Sequence, residues 1–208
     1  RVDWNHLGAE SETSVIPLSQ IRFAANGQPL SADDFNNPLP GWEPSTGQAQ
    51  WIPDEEGMGV NGIGRGEKNR YLDPPPWQVR GTLTLYREDS REAGVQAVFQ
   101  DGRRLRLGLQ NLGQIYAVLA RLDAEGGTQQ PDVFLPLGTA LGEAVAFRLR
   151  AAPGQIQASI DGRSLKTLKM PGTLSGFGLY VEQATANFKA LTLSRPVSDT
   201  AHHEFDPS

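Results

Sequence analysis

Cysteine is absent from this 208-residue chain, which rules out both a disulfide framework and thiol chemistry. Histidine is nearly absent, with only His6, His202 and His203. None lies near the middle of the chain, so no Ser-His-Asp set can be assembled around a core. A zinc site would need the two ends to meet, and tail histidines without a carboxylate shell ordinarily bind nothing. No apolar run approaches the roughly 18 residues that a membrane helix needs, so no membrane insertion of this segment is expected. An excess of positive charge is missing too. The 24 acids outnumber the 19 Lys and Arg, for a net charge of −5 and a pI near 5.2, which argues against nucleic acid as a partner.

What is abundant is turn chemistry, with 23 Gly and 15 Pro. Sustained helical periodicity is found nowhere, whereas apolar residues repeat at every second position in many short runs. A chain of this length can bury well over half of its unfolded surface as one β domain, with no disulfide or metal to staple it. The expected organisation is a polar lead-in over 1–13, a single sandwich domain over 14–195 and a polar tail over 196–208. The chain opens at Arg1 without Met or an apolar leader, which fits a processed or trimmed piece of a longer envelope protein, periplasmic or at the cell surface.

The clearest pattern runs from Trp77 to Leu122. Val95, Ala97 and Phe99 alternate with Gln96 and Gln100, and Leu105, Leu107 and Leu109 alternate with Arg104, Arg106 and Gln110. Asp101-Gly102 lies between these runs, and Asp-Gly is a strong hairpin signal because a type I′ turn needs two residues with positive φ. Val79, Leu83 and Leu85 precede this hairpin, with Arg80, Thr82, Thr84 and Tyr86 on the other side; Ile115, Ala117 and Leu119 follow it, alternating with Tyr116. This predicts a four-strand meander with one oily face and one polar face.

Before it, Val15–Phe23, Gln48–Ile52 and Gly57–Gly62 read as strands, and Gly62–Tyr71 as a charged, glycine-bearing loop. After it come strands around Val133–Leu137, Val145–Leu149, Ile156–Ile160, Leu165–Leu168, Gly176–Glu182 and Ala186–Leu193, with a second Asp-Gly turn at Asp161-Gly162. About a dozen short strands and no helix predict an all-β, two-sheet antiparallel sandwich.

Asp33-Asp34-Phe35 with Trp42, the strand Trp77–Tyr86, Gly94–Phe99, Gln155–Ile160 with its Asp161-Gly162 turn, and Gly176–Tyr180 before a strand holding Phe188 appear in an order that resembles the concanavalin A-like lectin/glucanase superfamily. The nearest likeness is to its laminin-G-like and 3-keto-disaccharide hydrolase-like jelly rolls, over roughly three quarters of the chain. The resemblance implies two curved sheets, a concave face that commonly holds a sugar, and in some members a calcium ion near a rim. The glucanases of that superfamily carry a Glu-x-Asp-x-x-Glu run, which this chain lacks.

The candidate ligand-binding residues are therefore those of the polar face: Arg80, Tyr86, Gln96, Arg104, Arg106, Gln110 and Tyr116, joined by Tyr180 and Glu182 from a later strand. Guanidinium and carboxamide groups offer forked donors to hydroxyls and carboxylates, and a phenol offers a flat ring with a polar tip. The same residues also read as the ordinary solvent side of a one-sided sheet. Arg65 and Arg70 would be offered by a mobile Gly62–Tyr71 loop, with Glu67 and Lys68. Glu182 reads as a structural ion-pair partner for Arg80, Arg104 or Arg106. Trp42, Trp51 and Trp77 read as sugar platforms or as core lids. Asp33 and Asp34, with Asn36 and Asn37, supply hard oxygens suited to Ca2+, and equally the residues of Asx turns. Asp54, Glu55, Glu56, Asp123 and Glu125 read as turn carboxylates.

The expected function is non-catalytic recognition of a glycan or oligosaccharide in a single shallow trough. The alternatives are a sugar-processing hydrolase using Glu67 and Glu182, and a structural domain that meets an envelope protein partner.

Overall fold

The hairpin around Asp101-Gly102 forms, but with a different turn from the one its sequence predicts. In a computed structural model, which describes residues 46–53, 57–72, 74–127 and 130–194 and the backbone of 16–17, strands β5 (Glu92–Phe99) and β6 (Arg104–Asn111) pair from Glu92 opposite Gln110 to Val98 opposite Arg104. The Gly102 amide donates to the Phe99 carbonyl, and only Gly102 takes positive φ, at 85°. This is a three-residue loop closed by a glycine bulge in place of a two-residue type I′ turn. The second Asp-Gly pair behaves as predicted. Asp161 and Gly162 both have positive φ, at 46° and 73°, between β10 (Gln155–Ile160) and β11 (Arg163–Lys169).

The meander has four strands, but not the predicted four. β5, β6 and β7 (Ile115–Leu122) are consecutive neighbours, and β8 (Val133–Pro136) adds an edge, taking the place of β4 (Trp77–Leu85). β4 leaves them and pairs instead with β9 (Val145–Ala152) and β13 (Thr185–Ser194). Arg80 and Tyr86, expected beside Arg104 and Arg106, thus belong to the other layer. The remaining strands are β1 (Ile16–Pro17), β2 (Thr46–Pro53), β3 (Gly57–Tyr71) and β12 (Leu174–Glu182).

Two chain segments join the layers. Gly57 to Asn61 of β3 pair with β13, whereas Arg65 to Tyr71 pair with β12. The β12–β13 segment runs alongside and turns at Gln183, whose φ is 46°. The corner is fastened by Gly62 N–H to the Ala184 carbonyl and Gln183 N–H to the Gly64 carbonyl, both at 2.9 Å. The first sheet runs β11-β10-β9-β4-β13-β3, and the second runs β3-β12-β5-β6-β7-β8. Gly62–Tyr71 is thus most of the longest described strand rather than a loop. One reason for its glycine content is close packing by β2, since a Cβ on Gly66 would lie 2.2 Å from that of Ala49.

The oily faces meet between the sheets. Trp77, Val79, Leu149, Ala158 and Phe188 from the first pack in one core with Val95, Leu105, Leu107, Leu119, Phe177 and Leu179 from the second. Among the described residues every element is a strand, and no helix is long and apolar enough to cross a membrane. The fold is an all-β antiparallel sandwich, as the alternation requires.

Candidate functional site

Register decides which side chains share the outward face of the second sheet. Arg65 lies opposite Glu182, Glu182 opposite Glu92, Glu92 opposite Gln110 and Gln110 opposite Tyr116. The next rows give Glu67, Tyr180, Gly94 and Gly108, then Asn69, Gly178, Gln96 and Arg106, with Arg104 beyond. Of the residues predicted from sequence, Arg65, Gln96, Arg104, Arg106, Gln110, Tyr116, Tyr180 and Glu182 therefore come together. Arg70 does not, because it lies opposite Phe177 on the other side of β3, and burial alone holds its guanidinium below the usual range. Tyr86 lies just past β4 and is exposed.

The predicted open trough is filled at its centre. Gln96 and Tyr180 are fully buried, and Arg106 is 4% exposed. Tyr180 can lie flat because two glycines sit beneath it: a Cβ on Gly108 would come 2.2 Å from the phenol oxygen, and one on Gly94 would come 2.8 Å from the ring. Arg106 stacks on that ring with its guanidinium carbon 4.1 Å from the centroid.

Glu67 is the hub. Arg106 Nη2 at 2.7 Å and Arg65 Nη2 at 3.2 Å donate to its Oε1, while Gln96 Nε2 donates to Oε2 at 3.2 Å and Arg104 Nε lies 3.2 Å from that same oxygen. Arg106 Nε also donates to Gln96 Oε1, and Gln96 Nε2 to Asn69 Oδ1. Burial works to raise the Glu67 carboxyl, but Arg104, Gln96, Arg106 and Arg65 outweigh it and hold the group below the ordinary carboxylate range. Glu67 thus takes Arg104 and Arg106, two of the three arginines expected for Glu182, while Arg80 lies in the other sheet, and no described arginine pairs with Glu182.

Glu92 has the opposite balance. Burial pushes its carboxyl up, and the charge of Glu182 adds to this, against the opposing Tyr180 hydrogen bond and Arg106 charge. The Tyr180 hydroxyl donates to Glu92 at 2.7 Å, and burial first and then Glu92 raise that phenol well above its usual value.

Two parts of this face stay accessible. At one end Thr46, Gly47, Arg65, Glu67, Arg104 and the 124–126 turn enclose a depression of about 310 Å³. Arg104 Nε is buried beside it and makes no hydrogen bond, its approach to Glu67 being an ion pair out of alignment. At the β7–β8 edge Tyr116 stacks on the exposed ring of Phe134, with centroids 4.3 Å apart, and Gln114 donates to the Tyr116 hydroxyl. Glu92, Asn69 and Phe134 were missed by the sequence reading. A faint signal for Phe134 exists, since it alternates with Val133 and Leu135.

Of the tryptophans, Trp77 is fully buried and Trp51 packs on Phe188 at 6.4 Å, so both behave as core residues. Trp42, Asp33, Asp34, Asp54, Glu55, Glu56 and the histidines lie outside the described residues. Among the described residues no three His, Asp or Glu side chains group closely enough to hold a metal.

No protein-family model and no curated protein matches the chain by sequence. Solved structures match it by fold. A carbohydrate-binding module, CBM66 from Bacillus subtilis, superposes with a TM-score of 0.62 at 13% identity, over 74% of this chain and 95% of that one. The fold shared with it is an antiparallel jelly-roll β-sandwich. The exoplasmic/lumenal domain of VIP36 gives 0.57 at 8% identity, over 89% of this chain and 92% of that one. A protein of unknown function with a galectin-like fold from Bacillus subtilis gives 0.56 at 10%, over 79% and 92%. At such identities the likeness concerns the jelly roll alone.

Proposed function

We propose that this jelly roll binds a carbohydrate at the Arg65–Glu67–Arg104 depression of the second sheet, as a non-catalytic recognition module. The observation that carries the reading is the concave spot lined by Arg65, Glu67 and Arg104, where the Arg65 side chain is exposed to water and Arg104 Nε lies 3.2 Å from the buried Glu67 carboxylate without a hydrogen bond. A sugar hydroxyl both donates and accepts, so it can give its proton to Glu67 and receive one from Arg104. Arg106, Gln96 and Tyr180 act behind the site by fixing Glu67 in place. The Tyr116–Phe134 stack offers a ring face to a second sugar unit at the far edge. Likeness to a carbohydrate-binding module supports the reading.

A glycan array followed by calorimetry tests it. Arg104→Gln should weaken binding about tenfold, the worth of one charge-assisted hydrogen bond. Failure of the wild type to bind any glycan, or equal binding by the variant, ends the proposal. An extracytoplasmic place on an envelope protein goes with this reading, supported by the exoplasmic neighbour. Calcium at Asp33 and Asp34 belongs to it as well. Adding calcium to chelator-treated protein should raise the melting temperature, and an unchanged melt would remove the metal.

A second reading is favoured by one observation. Glu92 and Glu182 are direct cross-strand neighbours, and burial raises the Glu92 carboxyl above its ordinary value. That is an acid beside a carboxylate, the pairing glycoside hydrolysis uses. It replaces the Glu67 and Glu182 pair, because Glu67 is held ionised. Hydrolysis of an oligosaccharide panel, abolished by Glu182→Gln, would establish an enzyme; no turnover by the wild type would leave the binding module.

A further inference from the structure

The first sheet carries a charge pattern at odds with the whole chain. The protein is acidic, at −5, yet β4, β9, β10, β11 and β13 contain no Asp or Glu. They do contain Arg80, Arg148, Arg150, Arg163, Lys166, Lys169 and Lys189, of which Lys166 is paired with Asp132. Register sets Arg148 directly opposite Arg80 on one side and Ser159 on the other, with Ser164 across from Ser159. Arg150 lies between Gln78 and Gln157 in the next row. Its Nε donates to Gln78 Oε1 at 2.5 Å, and Arg80 Nε donates to Thr192 Oγ1 at 3.1 Å, so two of the three guanidinia are held in place. Arg148 makes no hydrogen bond or ion pair among the described residues. Arg148, Arg150, Gln157, Ser159, Gly162 and Ser164 enclose a depression of about 120 Å³, room for one oxyanion.

Arg148 lines this depression, and an anion seated there would give its guanidinium a charge-assisted partner. We propose that this outward face is a second recognition surface, on the side of the sandwich away from the Glu67 site, for an anionic polysaccharide whose sulfate or carboxylate groups seat on Arg148 and Arg150. The class of polymer follows from the neighbours. The outward positions are filled by Ser, Thr, Gln and Asn, which match sugar hydroxyls. They offer no aromatic ring on which a nucleic-acid base could stack. They offer no large apolar side chain to enter a lipid surface either.

Calorimetry on the full chain at low salt would use heparin as the sulfated probe, polygalacturonate as the carboxylated one and dextran as the neutral control. The wild type should bind at least one polyanion, more weakly as salt rises, and ignore dextran. The double variant Arg148→Gln, Arg150→Gln should lose about tenfold or more in affinity. Ser164→Glu, at an exposed position that leaves the core untouched, should weaken binding by placing a carboxylate in the depression. Arg87→Gln, at an exposed arginine that lines neither depression, should leave polyanion binding unchanged, and the double variant should keep the uncharged-glycan binding assigned to the Arg104 site, which separates the two surfaces. Three results would overturn the inference: no binding of either polyanion, full binding by both variants, or equal binding of duplex DNA or phosphatidylserine vesicles.

Discussion

Glu67 and Glu92 share one face, yet the fold pulls their protonation in opposite directions. In the folded chain Glu67 titrates below its ordinary value of 4.5. Its pairs therefore stabilise the fold above that pH and are lost as the pH falls through the lowered value. Glu92 titrates above 4.5, so its contribution is full below that pH and lost as the pH rises through the raised value. Glu67→Gln should cost about 3 kcal/mol at neutral pH by leaving Arg106 buried without its counter-ion, and the deficit should shrink in acid. Arg65 adds little, because its side chain is 42% exposed and water screens the pair. Glu92→Gln should raise the melting temperature at neutral pH and lose that gain in acid. Scanning calorimetry across the acid range checks both, and parallel curves for the two variants would refute the assignment. The sequence carried no trace of this pairing, since the arginines meeting Glu67 come mainly from β6, a distant strand.

At the scale of elements, period-two alternation was enough to orient β5, β6 and β7. Leu105, Leu107 and Leu109 point inward, and Arg104, Arg106 and Gln110 outward, as a half-buried strand dictates. Partners were harder to read than faces. β4 alternates as cleanly as β5, but alternation says nothing about which strand lies alongside, and its neighbours come from β9 and β13. β3 was hidden for another reason. Glycine and charge normally argue against a strand, yet here the glycines make room for β2 and the corner, Arg65 and Glu67 pair on the outward face, and Lys68 and Arg70 lie on the opposite side, across from Leu179 and Phe177. The Asp101 turn differs from the Asp161 turn although both read Asp-Gly: the Asp161 side chain accepts from the Ala146 amide of a neighbouring strand at 2.9 Å, whereas that of Asp101 accepts from the Arg103 amide of its own hairpin at 3.1 Å. Glycine's packing role can be tested at Gly108. A Cβ there would also meet the Ala93 carbonyl at 2.6 Å, and that backbone cannot move aside alone. Gly108→Ala should cost about 1–3 kcal/mol in a urea titration, with loss of near-ultraviolet tyrosine signal. Wild-type stability would show that Tyr180 has room to shift.

Over the whole molecule, the two layers should not be separable, and the reason is how the chain crosses between them. β3 contributes its first half to one sheet and its second half to the other, and the β12–β13 segment does the same in the opposite direction. Unzipping either sheet therefore removes hydrogen bonds from a segment that the other needs. The core gives the same result, since Phe188 and Leu149 from one sheet share a single apolar cluster with Phe177 and Leu179 from the other. A sandwich built this way should unfold in one step. Amide hydrogen exchange in rising urea can follow Val79 and Leu149 in the first sheet alongside Leu107 and Leu179 in the second. All four should converge on one opening free energy. Leu149→Ala, which empties a fully buried site in the first sheet, should lower that free energy by about 2–5 kcal/mol, and by the same amount in both sheets. A drop confined to the first sheet would show that the layers open independently. The two faces argued above would then be borne by separately stable units.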